Sequence, residues 1–324
     1  MSAPFAGKVL VTGAGGFIGR ALCARFAAAQ TEYVAAVRAA APDDSGRKSV
    51  VPLGDFAAAD WRNVMRGVDA VVHLAGRAHV PSGRVADTPT PFIVANVHVT
   101  RRVAEAAAQA GVRRIVFASS VKVYGEASAP GRPFRAGDVA APEGAYALSK
   151  AEAENALGEI CRANGMEAVV LRLPLTYGAK VKGNFRVLLA AVAAQRRLPL
   201  AGIRNRRSLL YVGNAVSAIE AALVTPASRS EAMPIADAEV VSTAELATRL
   251  AHALHVAPRL FHVPATFLRG TAALIGRGTD VSRLLDSLEV DTSLFREVTG
   301  WSPPSSLDEG LAATAAWWHA RTPR

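Results

Sequence analysis

A chain of 324 residues, 51% of them hydrophobic, has the apolar content for a substantial core and too little polarity for a disordered polymer. Its two cysteines, Cys23 and Cys161, stand far apart and in no metal-ligand spacing, so neither a disulfide scaffold nor a metal site is expected. The net charge of +10 does not imply nucleic-acid binding: the arginines are scattered as short pairs such as Arg101-Arg102 and Arg196-Arg197, and with aromatics at 6% stacking platforms are scarce.

No apolar run precedes the first strand, and no stretch reaches the roughly 18 uninterrupted apolar residues that a membrane span requires. The expectation is a soluble cytoplasmic protein without membrane insertion. Along the chain, Lys8–Thr12 reads as a buried strand and Ile18–Ala29 as the helix after it. Strands are predicted at Tyr33–Val37, Ser49–Leu53 and Ala70–Leu74, then one long helix from Phe92 to Ala110, stopped at Gly111. A fifth strand follows at Arg114–Ser119, a helix at Tyr146–Ala163 and a sixth strand at Ala168–Leu173.

Short apolar strands separated by amphipathic helices specify an α/β protein, a doubly wound parallel sheet of the Rossmann type covered on both faces. After Pro174 the pattern loosens and Pro, Gly and Arg become more frequent. The predicted division is a dinucleotide-binding domain over 1–173, rejoined by 207–228, and a smaller C-terminal substrate-binding region over 174–206 and 229–324.

The first chemical motif lies between the first strand and the first helix: Thr12-Gly13-Ala14-Gly15-Gly16-Phe17-Ile18-Gly19. Gly13 permits the tight turn, Gly16 lets backbone approach a pyrophosphate, and Gly19 allows close packing of helix on sheet. A pyrophosphate would then lie on the positive N-terminus of the helix. Strand before and helix after lift this above a chance glycine cluster. The second motif is Tyr146-Ala147-Leu148-Ser149-Lys150, whose tyrosine and lysine, four apart, share one helix face. A free phenol has a pKa near 10, and an adjacent ammonium together with a cationic nicotinamide would favour the phenolate. Ser119-Ser120, at the C-terminal end of the fifth strand, supplies a hydroxyl where open parallel sheets bind their ligands.

Taken together, Gly13-x-x-Gly16-x-x-Gly19, Ser119-Ser120-Val121-Lys122-Val123-Tyr124-Gly125 and Tyr146-x-x-x-Lys150 resemble the extended short-chain dehydrogenases/reductases. More narrowly they resemble the family of UDP-glucose 4-epimerase and related nucleotide-sugar enzymes, over nearly the whole chain. The resemblance implies an NAD- or NADP-dependent enzyme with Ser120, Tyr146 and Lys150 as catalytic triad. It places Gly13, Gly16, Phe17, Ile18, Gly19, Tyr146 and Lys150 on the cofactor, Asp55 and Phe56 at its adenine, and Leu74, Ala75 and Gly76 near its ribose and diphosphate. On the substrate side it implies Asn184 at the nucleotide, Arg207 on the diphosphate and Arg283 as a second phosphate clamp. It also implies a homodimer joined through the helices at 92–110 and 146–163.

Departures from the family pattern narrow the reaction. Dehydratases of this superfamily carry an Asp-Glu pair directly after the catalytic Thr or Ser; here Val121 and Lys122 stand there, so dehydration is not expected. Lys122 is also unusual for a UDP-glucose epimerase. The Ser-Ser-x-Lys-Val-x-Gly-Glu and Asn-Arg-Arg-Ser-Leu runs are similar to bacterial surface-polysaccharide enzymes that reduce the 4-keto group of a UDP-linked 6-deoxy-N-acetylhexosamine. That reductase is the preferred reading and a UDP-hexose 4-epimerase the alternative. An NADP-binding sensor or structural subunit of the same fold is disfavoured by the retained triad. At the place where NAD-specific members hold the ribose with an acid stands Arg38, with Asp43 and Asp44 nearby, so use of both NAD and NADP is expected. His73 reads as a packed strand residue, His79 as a neighbour of the site mouth, Asn96 as a structural hydrogen-bonder and Trp301 as packing.

Overall fold

The first strand shows how the core is divided. In β1 (Val9–Thr12) all four residues are buried, and their alternation sends Val9 and Val11 to one face of the sheet and Leu10 to the other. The computed structural model describes residues 5–40, 49–78, 90–225, 232–264, 266–269, 282 and 284–321. Within them β1 is an inner strand of a seven-stranded parallel sheet together with β2 (Tyr33–Val37), β3 (Val50–Pro52), β4 (Ala70–His73), β5 (Arg114–Ser120), β6 (Glu167–Leu173) and β9 (Met233–Pro234). The order β3-β2-β1-β4-β5-β6 is that of a dinucleotide-binding sheet, with its crevice beyond the C-terminal ends of the strands where the order reverses.

Helices α1 (Phe17–Ala28) and α6 (Val212–Val224) cover one face, burying Leu22, Phe26, Ala215 and Ile219 against Val9, Val11 and Val72. On the other face α3 (Val99–Gln109) and α4 (Gly144–Ala163) bury Val103, Ala107, Ala153 and Leu157 against Leu10, Val71, Ile115 and Phe117. The predicted single helix over 92–110 is not continuous. A short turn α2 (Thr90–Phe92) leads into a π-helical stretch, Ile93–His98, before α3 begins. The wide turn is centred on Asn96, whose side chain is taken up by contacts outside the helix. Gly111, at φ +73°, ends α3 in the left-handed conformation that glycine adopts without strain.

The C-terminal half builds its own small sheet. β7 (Leu175–Tyr177) lies parallel to β8 (Arg207–Tyr211), which pairs antiparallel with β10 (Val240–Val241). Around it α5 (Gly183–Ala193), α7 (Thr243–Ala253) and α9 (Leu307–Arg321) enclose Tyr177, Phe185, Leu189, Leu209, Leu250 and Leu311. Two particulars differ from the sequence-based division. Within 207–228 the helix packs on the large sheet, but β8 pairs with β7 and β10 instead of joining it; its Leu209 faces the small core and its Leu210 the large one. Within 229–324, Met233–Pro234 is the outer strand of the large sheet, and Phe295 of α8 (Ser293–Thr299) and Trp301 are buried in its core. Two-residue strands leave no periodicity to read.

Candidate active site

The glycine segment closes on itself as the spacing requires. Gly13 has φ +65°, and a Cβ there would lie 2.7 Å from the Ala75 backbone nitrogen, so the turn passes directly over the end of β4. A Cβ on Gly19 would come 2.3 Å from the Gly13 carbonyl oxygen, so the first turn of α1 packs on the loop before it. Gly16 is the N-cap of α1, no side chain caps it, and the first turn holds no acid. The helix N-terminus therefore presents backbone N–H groups and positive potential at the sheet's C-terminal edge, which fits a dinucleotide diphosphate. Phe17 packs against the small core and Ile18 against the large one, so these two side chains tie loop to protein.

Around this loop, Arg38 is exposed just past β2, and its carbonyl accepts from Gly54 N–H at 3.0 Å. Asp55, also exposed, caps its own turn through Ala57 N–H at 3.0 Å. Phe56 departs from expectation. Its ring is buried edge-to-face on Trp61, centroids 5.1 Å apart, and belongs to the core, so only its backbone is available to an adenine. Leu74, Ala75 and Gly76 run out from β4 beside Gly13, with Ala75 N–H donating to Thr12 Oγ1 at 3.2 Å.

The three residues of the expected triad meet at the end of β5. Ser120 is buried there and caps the 3-10 turn Val121–Val123, its Oγ accepting from Lys122 N–H at 3.3 Å. The Tyr146 phenol lies near enough to Ser120 for that hydroxyl to act on its pKa, and its ring packs edge-to-face on Phe92, centroids 6.2 Å apart. Burial pushes the phenol's pKa up, and the Ser120 hydroxyl opposes this. The Lys150 ammonium lies against β5, donating to Ala118 O at 2.6 Å and 4.2 Å from the Phe117 ring centroid. Burial in turn lowers Lys150 to about 8, partly offset by the Glu154 carboxylate one helical turn on.

A hydrogen-bonded line that the sequence announced only in part runs behind these groups. Asn96 Oδ1 accepts from Arg77 N–H at 2.7 Å, and Nδ2 donates to Ser149 Oγ at 2.8 Å, which itself donates to Tyr146 O at 2.7 Å. The reading of Asn96 as a structural hydrogen-bonder holds: it fixes the start of the catalytic helix. Glu154 was missed; it accepts from Ser119 Oγ and pairs with Arg172, Nη2 to Oε2 2.6 Å, nearly out of contact with water. Its only sequence signal is its place one turn past Lys150. Where dehydratases carry acids, Lys122 is clamped by Glu126, Nζ at 2.6 Å from both carboxylate oxygens.

On the substrate side, Asn184 is exposed as the second residue of α5. Arg207 opens β8 half-buried, Nη1 donating to Asp286 O at 3.0 Å. Burial lowers its pKa, and the Asp286 and Glu126 carboxylates oppose this, which puts Arg207 within the electrostatic reach of the Lys122–Glu126 pair. Its neighbour Arg206 points to the surface and pairs with Glu289, Nε to Oε2 2.6 Å. Arg283, His79, Asp43 and Asp44 lie outside the described residues. No helix among the described residues is long and apolar enough to cross a membrane.

Comparison with known proteins gives the same kinship. The NAD dependent epimerase/dehydratase family matches residues 9–236. A UDP-glucose 4-epimerase of Vibrio cholerae is 36% identical over 312 residues, covering 95% of this chain and 94% of that protein. The dTDP-6-deoxy-L-talose 4-dehydrogenase (NAD(P)(+)) of Kitasatospora kifunensis is 29% identical, covering 94% and 93%. Among solved structures, MoeE5 in complex with UDP-glucose and NAD superimposes with a TM-score of 0.76 at 25% identity, covering 97% of this chain and 99% of that one. The chain belongs to the NAD dependent epimerase/dehydratase family and is an enzyme of the extended short-chain dehydrogenase/reductase type.

Proposed function

We propose that this family member transfers hydride at carbon 4 of a UDP-linked sugar, as a 4-keto reductase of a UDP-6-deoxy-N-acetylhexosamine in surface-polysaccharide synthesis. The observation that carries the carbon-4 chemistry is the juxtaposition of Ser120 and Tyr146 at the end of β5, with Lys150 one turn on and an uncapped α1 N-terminus at the C-terminal edge of the same sheet. NAD or NADP, held by Gly13, Gly16 and the α1 N-terminus with Leu74, Ala75 and Gly76 alongside, supplies or accepts the hydride when bound. Ser120 hydrogen-bonds the sugar's 4-oxygen and orients it. Tyr146 gives its phenolic proton to that oxygen as the carbonyl is reduced, and takes it back in the reverse direction. Lys150 stabilises the phenolate left behind. Arg207 grips the diphosphate with a forked cation, and Asn184 meets the nucleotide.

The Lys122–Glu126 clamp supports reduction over dehydration, since no acid follows Ser120 to eliminate water. A UDP-hexose 4-epimerase is the second reading, favoured by the identity with the Vibrio cholerae enzyme. The two separate on stoichiometry. With a UDP-4-keto-6-deoxy-N-acetylhexosamine the reductase consumes one reduced nicotinamide per sugar, and with UDP-glucose or UDP-N-acetylglucosamine it yields no 4-epimer. Appearance of the 4-epimer without net change in nicotinamide absorbance overturns the reductase reading. No turnover in either arm overturns the carbon-4 reading altogether.

Both nicotinamide cofactors are accepted in this proposal, because Arg38 stands exposed past β2 where an acid would repel a 2′-phosphate. Arg38→Ala is expected to weaken NADPH binding about tenfold or more and to leave NADH binding unchanged. Unchanged NADPH affinity would remove Arg38 from the 2′-phosphate. We further infer a cytoplasmic homodimer joined through α3 and α4, whose outer surfaces form a furrow lined by Glu105, Ala108, Gln109, Glu159 and Ile160.

A further inference from the structure

The buried strand pair behind Lys150 holds a second arrangement that the proposed chemistry leaves unused. His73 on β4 and Phe117 on β5 are register partners, and their rings stack with centroids 5.4 Å apart and an interplanar angle of 20°. The same Phe117 ring carries the Lys150 ammonium at 4.2 Å. Phe117 is wholly buried and His73 is 1% exposed, so water does not weaken either contact.

Two hydroxyls hold the ring of His73. Thr100 Oγ1 donates to Asn96 O, so it accepts from His73 Nε2, 2.9 Å away. Thr12 Oγ1, which accepts from Ala75 N–H, lies 2.7 Å from His73 Nδ1. Buried this completely and close to the Lys150 charge, the imidazole is neutral. A second cation behind Phe117 is thereby avoided, and the ring's negative face is left to the lysine.

We propose that Phe117, held in place by neutral His73, is a positioning residue that keeps Lys150 protonated at the end of β5. This rests on the reading of Tyr146 and Lys150 as the proton-moving pair. The charged and titratable groups facing Lys150 are Glu154 on its own helix, paired with Arg172 on β6, and His73 on β4. Glu154, the Ala118 carbonyl and the Phe117 face favour the ammonium. Glu154 shares its charge with Arg172, which leaves the ring and the carbonyl to supply the remaining attraction.

Phe117→Leu keeps the volume and removes the ring face. With lysine labelled at the ε-carbon, the six lysines give six signals, and Lys150 is assigned by its loss in Lys150→Met. In the wild-type protein the Lys150 signal is expected upfield of the others from the ring current. In Phe117→Leu it is expected near the others and titrating about one unit lower. The alkaline limb of kcat/KM should move down by the same amount, with near wild-type activity below pH 7. An unshifted Lys150 titration in the variant, or no ring-current shift in the wild type, overturns the proposal. A shifted titration with an unmoved pH profile supports the contact and overturns instead the role of Lys150 in catalysis. Should Phe117→Leu fail to fold, His73→Phe, which keeps a ring under Phe117, is expected to retain the wild-type Lys150 titration. A Lys150 shift in that variant would sink the positioning role.

Discussion

The two halves of this molecule solve the same problem, fixing a site, with different materials. In the large sheet, β1, β4 and β5 are four to seven residues long and almost wholly buried, and the site residues ride on their C-terminal ends. In the small sheet the strands have two to five residues, and the positions are fixed by buried polar hubs. Asp237 accepts from Tyr211 N–H at 3.0 Å and from Asn214 Nδ2 at 2.7 Å; Asn205 Nδ2 donates to Thr243 Oγ1, Leu284 O and Asp286 O, each at 3.0 Å. Hydrophobic burial tolerates exchange of one apolar residue for another, whereas a hub loses several directed bonds at once. The half proposed to carry the hydride chemistry is built on the first, and the half proposed to choose the sugar on the second.

If the large sheet is a rigid platform, removing one oxygen from it should destroy activity and spare the fold. Tyr146→Phe is expected to lower kcat on the order of a thousandfold, with cofactor affinity and melting temperature nearly unchanged. A variant keeping a tenth of the activity would show that another group moves the proton.

Acid should break the same platform through His73. Burial, helped by the Lys150 charge, holds its pKa down at about 3, so the native state keeps it neutral while the unfolded chain protonates it near 6.5. Between those values the unfolded state binds more protons, so stability falls as pH drops, by on the order of 4 kcal/mol over the whole window. Chemical denaturation from pH 7 to 4 should show this slope, and His73→Phe should flatten it. A wild-type stability independent of pH below 6.5 would mean that His73 titrates normally.

How far each half was legible follows from the same contrast. The strands and helices up to Leu173, the strands three to seven residues long, came from short apolar runs and from amphipathic periods long enough to count. The glycine segment and Tyr146-x-x-x-Lys150 were visible because each needs fixed residue types at fixed spacing. The π-helical turn at Asn96 was not visible, because it is set by contacts to Arg77 and Ser149 that no local pattern records. Nor was the direction of Lys150, decided by Ala118 O and the Phe117 ring. In the second half, Met233–Pro234 and Val240–Val241 are too short for any periodicity, and the hubs join residues up to 91 positions apart.

Arg207 tests whether the small-sheet half reads the substrate. Its role on the diphosphate is the same in ground and transition states, so Arg207→Ala should raise KM for the nucleotide sugar about ten- to a hundredfold and leave kcat near its original value. A collapse of kcat at unchanged KM would move Arg207 from the diphosphate to the chemistry.

The smallest effect belongs to the residue beside it and sharpens the point that neighbours in one sequence run do different work. Arg206 alternates to the outer side of β8's approach, 55% exposed, and pairs with Glu289 through Nε and Nη2. Water screens such a pair, so Arg206→Ala should leave KM and kcat unchanged and shift the melting temperature by only about a degree or two. The hydrogen bond from Arg206 nonetheless holds the Glu289 carboxyl below its ordinary pKa. A depressed carboxylate contributes stability that is present above its unfolded value, near 4.5, and fades as pH falls through the folded one. The difference in stability between Arg206→Ala and the parent should therefore exist at pH 7 and shrink toward zero as the pH is brought below 4. If the difference persists in acid, Arg206 acts through packing or through another partner. If Arg206→Ala instead raises KM as far as Arg207→Ala does, both arginines face the substrate and the division of the run between surface and site is wrong.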